Sequence, residues 1–300
     1  QNMILAILHQ AMGLLMSNPC EVILHIGAHK TATTYVQSRM NKSKKILCNA
    51  GIEYIGLSEL RKNATKKLGN PSFQDSEIVD FIAPYMKNRV LIISDENILG
   101  GNGVSRDGRL YPDCRTRLSQ LLSLLEGSNI SVYLTIRDYA DYLTSRYFES
   151  LSHNPFVRFQ DYIQSFDLKS YRWPQLVEDV REIAGSAHVY CNSFDYLINN
   201  EHTYFKHWFG RPIRLEKIDV SPEIRRAKLS SEEYEIIERF SYVFSATQTP
   251  SFVRFLTQQH TNKNTTAFNP FAKQSVAALA AKYTSDINII KNLSGVQWLG

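Results

Sequence analysis

Three short stretches of this 300-residue chain place reactive side chains where they could act on an anionic group. The first is Gly27-Ala28-His29-Lys30-Thr31-Ala32-Thr33-Thr34-Tyr35, directly after the apolar run 22–26. A strand that turns through a glycine into a helix presents free backbone N–H groups and about half a positive charge at the helix start. Lys30 adds a full charge there, and Thr31, Thr33 and Thr34 add hydroxyl donors. That is the chemistry of a phosphate or sulfate cradle. The sequence has no Gly-Lys pair, so this is not a Walker-type loop. A plainer account has the hydroxyls capping a helix, which explains one threonine but not three with a lysine.

The second stretch follows the run 131–136 and holds Arg137 and, eight residues on, Ser145. A guanidinium and a hydroxyl on the next helix could clamp a second anion. The alternative is that Arg137 pairs with Asp138 or Asp141. The third stretch, Ser94-Asp95-Glu96-Asn97, ends the run 90–94 and offers two carboxylates as proton acceptors. Its alternative is a helix-capping or arginine-pairing role for Glu96. Glu53, near the end of the run 52–55, is a further carboxylate. None of the eight histidines follows 90–94, and His25 and His29 lie on strand and loop, so they do not share a helix face as a metal-binding pair would.

These stretches need a scaffold that brings strand ends together. Apolar, β-branched runs at 22–26, 52–55, 90–94, 131–136 and 187–192 alternate with helix-like segments at 33–40, 76–87, 115–126, 139–151 and 173–184. Alternation of this kind predicts an α/β fold, a central parallel sheet covered by helices on both faces. Ligands of such sheets bind beyond the carboxyl ends of the strands, where all three stretches fall. After residue 192 the pattern is more helical. Ser230-Ser231-Glu232-Glu233 has capping-box form before a helix to about 244, and Asn269-Pro270 opens another to about 281. No repeat or linker interrupts the chain, so a single domain over 21–300 is expected.

The string His25-Ile26-Gly27-Ala28-His29-Lys30-Thr31-Ala32-Thr33-Thr34-Tyr35-Val36-Gln37 resembles the 5′-phosphosulfate loop of bacterial sulfotransferases that use 3′-phosphoadenylyl sulfate (PAPS), which often reads HIGxxKTGTTxxQ. Arg137 and Ser145 match the spacing of that family's 3′-phosphate motif. The resemblance covers mainly residues 22–197 and implies a P-loop-kinase-like sulfotransferase fold. It also implies PAPS as co-substrate, 3′-phosphoadenosine 5′-phosphate (PAP) as product, and a hydroxylated acceptor, a glycan or other cell-surface precursor by family habit. By the same resemblance Gly27, His29, Lys30, Thr31, Ala32, Thr33, Thr34, Arg137 and Ser145 hold the nucleotide. Phe194, in Phe194-Asp195-Tyr196-Leu197, is similar to an aromatic beside the adenine, or else belongs to the core. Lys30 would act at the leaving oxygen, and Glu96, with Asp95 as neighbouring competitor, would stand where the family's base stands. Sulfuryl transfer involves less charge than phosphoryl transfer, so no metal is required. Ala32 departs from the family's glycine; if the backbone there needs φ above zero, an alanine is strained. A nucleotide-dependent phosphotransferase (kinase) of the same fold and a non-catalytic nucleotide- or glycan-binding module are the alternatives.

Composition narrows the field. Hydrophobic residues make up 43% and charged residues 21%, which excludes disorder and coiled-coil rods. The longest apolar stretch, 3–16, is too short for a membrane span and contains His9 and Gln10, so no stable membrane insertion is expected. It lacks a basic flank and a cleavage site before Glu21, so residues 1–20 read as an appended helical segment, or as sequence upstream of a start at Met16. Four cysteines without CxxC spacing fit a reducing cytoplasm. The net charge of +5 is uneven, with eight basic residues between Arg39 and Lys67 against Glu53 and Glu59. That segment is either a solvated face or a field for an anionic ligand or acidic glycan. No aromatic-plus-basic platform for nucleic acid appears.

Overall fold

The computed structural model describes residues 19–101, 103, 109–164, 166–168, 171–218, 229–245, 247–259 and 267–300. The β-branched runs become strands β1 (Glu21–His25), β2 (Ile52–Tyr54), β3 (Val90–Ser94), β4 (Asn129–Ile136) and β5 (His188–Ser193). A sixth strand, β6 (Val296–Leu299), was not expected from the sequence, where four residues at the chain end carry too little pattern. The six lie in the order β2-β3-β1-β4-β5-β6, and every pairing is parallel. The expected α/β fold with a parallel sheet and flanking helices is the one observed.

The helices are α1 (Thr33–Lys42), α2 (Lys44–Asn49), α3 (Leu57–Leu60), α4 (Asp75–Ile82), α5 (Cys114–Leu124), α6 (Tyr139–Leu151), α7 (Phe159–Gln164), α8 (Trp173–Ala184), α9 (Phe194–Asn199), α10 (Glu201–Phe209), α11 (Ser231–Val243), α12 (Thr249–Gln259) and α13 (Lys273–Lys291). The expected capping box is present at the start of α11: Ser230 accepts from the Glu233 N–H while Glu233 accepts from that of Ser230. No described helix is long and apolar enough to cross a membrane.

Within this domain the described residues pack as two compact units. The first comprises 19–136, 172–218 and 287–300 and contains the whole sheet. Ile23, Ile92 and Tyr133 point to one face, where Val36 and Met40 of α1, Leu47 of α2, Leu197 of α9 and Tyr204 and Trp208 of α10 bury them. Also in this unit, α5 and α8 are joined by Arg115, which pairs with Asp179 at 2.6 Å and Glu182 at 2.5 Å. The second unit comprises 137–171 and the described part of 219–286, and its core gathers Tyr147, Leu151, Phe159, Tyr234, Ile237 and Val253. Of the N-terminal segment 1–20, residues 1–18 lie outside the described residues. Cys20 already belongs to the sheet unit, its carbonyl accepting from the Asn129 N–H. All four cysteines are free.

Candidate active site

Strand order places β1 between β3 and β4, with the chain continuing first to one side of it and then to the other. The carboxyl end of β1 is therefore the point at which the sheet's connections diverge, where α/β sheets hold ligands. The loop 26–32 is hung from both neighbouring strands' ends. Ile26 and Ala28 donate N–H bonds to Tyr133 and Thr135 of β4 at 3.0 Å each, and Asp95 donates to the His25 carbonyl at 3.1 Å.

The loop ends in a left-handed backbone. Lys30 has φ 66°, and Ala32, the N-cap of α1, has φ 66° and ψ 21°. The position where the family motif carries glycine thus does require φ above zero, and the alanine there is strained by roughly 1 kcal/mol. Gly27 is needed for space: a Cβ there would lie 3.0 Å from Thr31 Oγ1 and 3.2 Å from both His25 Nε2 and Thr33 Cγ2.

The N-terminus of α1 carries no side-chain cap and no acidic residue in its first turn. The threonines do not cap it. Thr31 is buried and donates its hydroxyl to the Ala28 carbonyl at 2.5 Å, Thr33 is buried, and Thr34 is exposed. The first-turn N–H groups, uncapped by any side chain, and the half-exposed Lys30 before them form a donor set of the kind that suits an anionic group. His29 is bound into the loop's neighbours. Its N–H donates to the Tyr111 hydroxyl at 2.8 Å, its ring stacks on Tyr111 at 5.6 Å, and its Nε2 lies 3.1 Å from Asn97 Oδ1.

At the end of β3 the two carboxylates divide their work. Asp95, fully buried, accepts from the Asn97 N–H at 3.1 Å, capping the 3₁₀ turn Glu96–Leu99, and takes a fork of hydrogen bonds from Arg61 Nε and Nη2 at 2.9–3.1 Å. Glu96 is paired with Arg61 Nη2 at 2.9 Å through one oxygen and accepts from Gln37 Nε2 at 3.2 Å through the other. Burial alone would raise the Glu96 carboxyl. Its own backbone N–H, the Arg61 charge, His29 and the Gln37 amide outweigh burial and bring it below the usual carboxylate range. The arginine-pairing alternative for Glu96 is therefore realised, and it keeps the carboxylate ionised.

Several parts of this arrangement were not singled out in the sequence. Arg61 was only one of the eight basic residues. Gln37 had a usable signal, since Thr33, Val36, Gln37 and Met40 are all buried on one helical face, where an amide stands out. Arg117 of α5 donates to the carbonyls of Thr65 at 2.6 Å, Asn97 at 2.9 Å and Leu68, tying the π-helical turn Arg61–Thr65 to the Glu96 turn. Beneath the loop, His25 is fully buried with Nδ1 2.8 Å from Ser94 Oγ, and its Nε2 has no hydrogen-bond partner among the described residues. Burial lowers its pKa to about 4, against a smaller opposing pull from Glu96.

The remaining expected residues fall as follows. Glu53 lies inside β2 and accepts from Asn88 at 3.3 Å, towards the amino end of β3, so it does not join the carboxyl-end cluster. Phe194 opens α9 directly after β5 and is half-buried. Arg137 and Ser145 belong to the second unit: Arg137 follows β4 and pairs with Asp141 at 3.3 Å, and Ser145 is half-exposed on α6. The stretch 100–108 carries four glycines; its residues 102 and 104–108 lie outside the described residues, and Gly100 has φ 92°. The basic segment is partly consumed internally, with Arg39 paired to Glu201, Arg61 to Asp95 and Glu96, and Lys67 to Glu77. Lys42, Lys44, Lys45, Lys62 and Lys66 stay exposed. Among the described residues no group of three or more His, Cys, Asp or Glu is placed to hold a metal ion.

No family model matches the chain, and no curated protein matches it. Among solved structures, the chain is similar to a sulfotransferase from Alicyclobacillus acidocaldarius at 11% identity, over 80% of this chain and 97% of that one, with a TM-score of 0.42.

Proposed function

We propose that the chain is a PAPS-dependent sulfotransferase that moves a sulfuryl group to a hydroxyl of a carbohydrate or another cell-surface precursor. The observation that carries this reading is the uncapped N-terminus of α1 behind Lys30, in a loop of the motif that resembles the 5′-phosphosulfate loop. Its donor set is backbone N–H, ammonium and hydroxyl, without a carboxylate in the first turn, which suits an anionic group.

In the proposed reaction the acceptor oxygen forms a bond to sulfur as the bond between sulfur and the bridging phosphate oxygen breaks. That bonding pair leaves with the phosphate, giving PAP, and Lys30 neutralises the charge that develops on the bridging oxygen. The acceptor proton goes to Glu96, which its pairing with Arg61 keeps in the ionised form able to receive it. Arg137 and Ser145 are assigned the 3′-phosphate on their sequence spacing, and Phe194 the adenine on its place after β5. A phosphotransferase would need an acidic metal ligand, and Asp95 is already committed to Arg61 and the Asn97 N–H.

Thermal-shift measurements with PAP and with Mg-ATP test the assignment. PAP at 100 times its dissociation constant should add about 2.7 kcal/mol of stability. A larger shift with Mg-ATP, or none with PAP, would overturn it.

A further inference from the structure

The cluster at the carboxyl ends of β2 and β3 is incomplete on the acceptor side. Asp95 is wholly consumed, and both Glu96 oxygens are engaged. Arg61, however, uses only Nε and Nη2 on these carboxylates. Its Nη1 makes no hydrogen bond among the described residues, and the side chain is 31% exposed. Two buried polar atoms in the same cluster have no hydrogen-bond partner among the described residues. One is Gln37 Oε1, on the amide that donates to Glu96; the other is the Tyr54 hydroxyl at the end of β2, which feels the charges of Asp95, Glu96 and Arg61. A buried hydroxyl and a buried amide oxygen are seldom left unpaired. Lys44 adds a cation 5.7 Å from the centre of the Tyr54 ring.

Resting on the sulfuryl-transfer reading of the site, we propose that this cluster is the acceptor subsite. It takes an acidic carbohydrate whose carboxylate binds Nη1 of Arg61 while a neighbouring hydroxyl meets Glu96. A guanidinium held through Nε and Nη2 by two carboxylates presents its remaining Nη1 N–H groups at little conformational cost, and these make charge-assisted hydrogen bonds to a carboxylate oxygen. The same contact couples binding to chemistry. A second carboxylate on Arg61 weakens that residue's hold on Glu96 and adds a like charge nearby, so Glu96 becomes the stronger base as an acidic acceptor binds. A neutral sugar produces neither effect.

The test is a titration, followed by NMR with and without PAP, of methyl β-D-glucuronide against methyl β-D-glucoside, which differ in the carboxylate. Wild-type protein should bind the glucuronide at least tenfold tighter and shift the Arg61 Nε–H resonance. Arg61→Lys keeps a cation for buried Asp95 but loses the Nη1 N–H groups, and it should lose that preference. If the variant does not fold, the Arg61 resonance of the wild type decides. Equal binding of the two sugars, or a preference with no shift of that resonance, overturns the proposal, as does a preference that persists in a folded Arg61→Lys. PAP binding is read separately: PAP binding without the glucuronide preference removes this inference alone. The preference without PAP binding removes the sulfotransferase reading and leaves an acidic-sugar site.

Discussion

Gln37, one turn inside α1, donates from the same Nε2 to the Ser94 carbonyl and to the Glu96 carboxylate, each at 3.2 Å. The helix whose first turn is proposed to hold the donor thus also fixes the carboxylate proposed to act on the acceptor. One side chain therefore ties the proposed donor end of the site to the proposed base.

Glu96→Gln should retain PAP affinity and lose about 10²–10⁴-fold in turnover, because an amide keeps the shape but takes no proton. Asp95→Asn should act on stability instead. It breaks a fork from Arg61 to a fully buried carboxylate, a loss of roughly 3 kcal/mol. Urea denaturation alongside single-turnover kinetics separates the two. If Asp95→Asn alone slows transfer at unchanged stability, the base is Asp95.

Ala32→Gly should stabilise the fold by roughly 1 kcal/mol, since φ 66° costs an alanine what it does not cost a glycine. For a chain of this size that is a rise in melting temperature of roughly 2 °C, read by calorimetry. A fall would mean that the loop is not strained at this position.

Stability should decline as pH drops from about 6.5 towards 4. His25 is buried with a pKa of about 4 against the ordinary 6.5, so the unfolded chain binds a proton across that window and the folded chain does not. The contribution is whole above 6.5 and gone below about 4, a change of about 3 kcal/mol. Glu96, whose folded value is lowered, adds to the loss in the same direction at the acid end. Denaturant midpoints of wild type and His25→Asn between pH 7 and 4 check this, and the variant's slope should be shallower.

Lys30→Ala should abolish donor turnover, because it removes the charge at the leaving oxygen. Arg137→Ala should mainly weaken PAP binding, by roughly 1.5–3 kcal/mol for a charge-assisted contact. A PAPS turnover assay reads the first, and calorimetric titration with PAP reads the second. An Arg137→Ala protein that binds PAP as tightly as wild type would remove Arg137 from the proposed nucleotide site.

Much of this was determined by local sequence. The strands at 90–94 and the helices at 139–151 and 173–184 fall where the β-branched runs and helical periodicity put them. The loop after β1 was legible because glycine, lysine and hydroxyls at a strand–helix junction act through their immediate backbone. The demand for φ above zero at Ala32 could be posed from the motif, but only the folded loop answered it. What the sequence could not show is who neutralises whom. Arg61 and Asp95 are 34 residues apart, and Arg117 reaches carbonyls 20 to 52 residues away. These partners meet because β2 and β3 pair in parallel and carry their carboxyl ends to one edge. Period and propensity describe neighbours along a chain, whereas charge pairing and burial depend on neighbours in space, which the order of the strands sets.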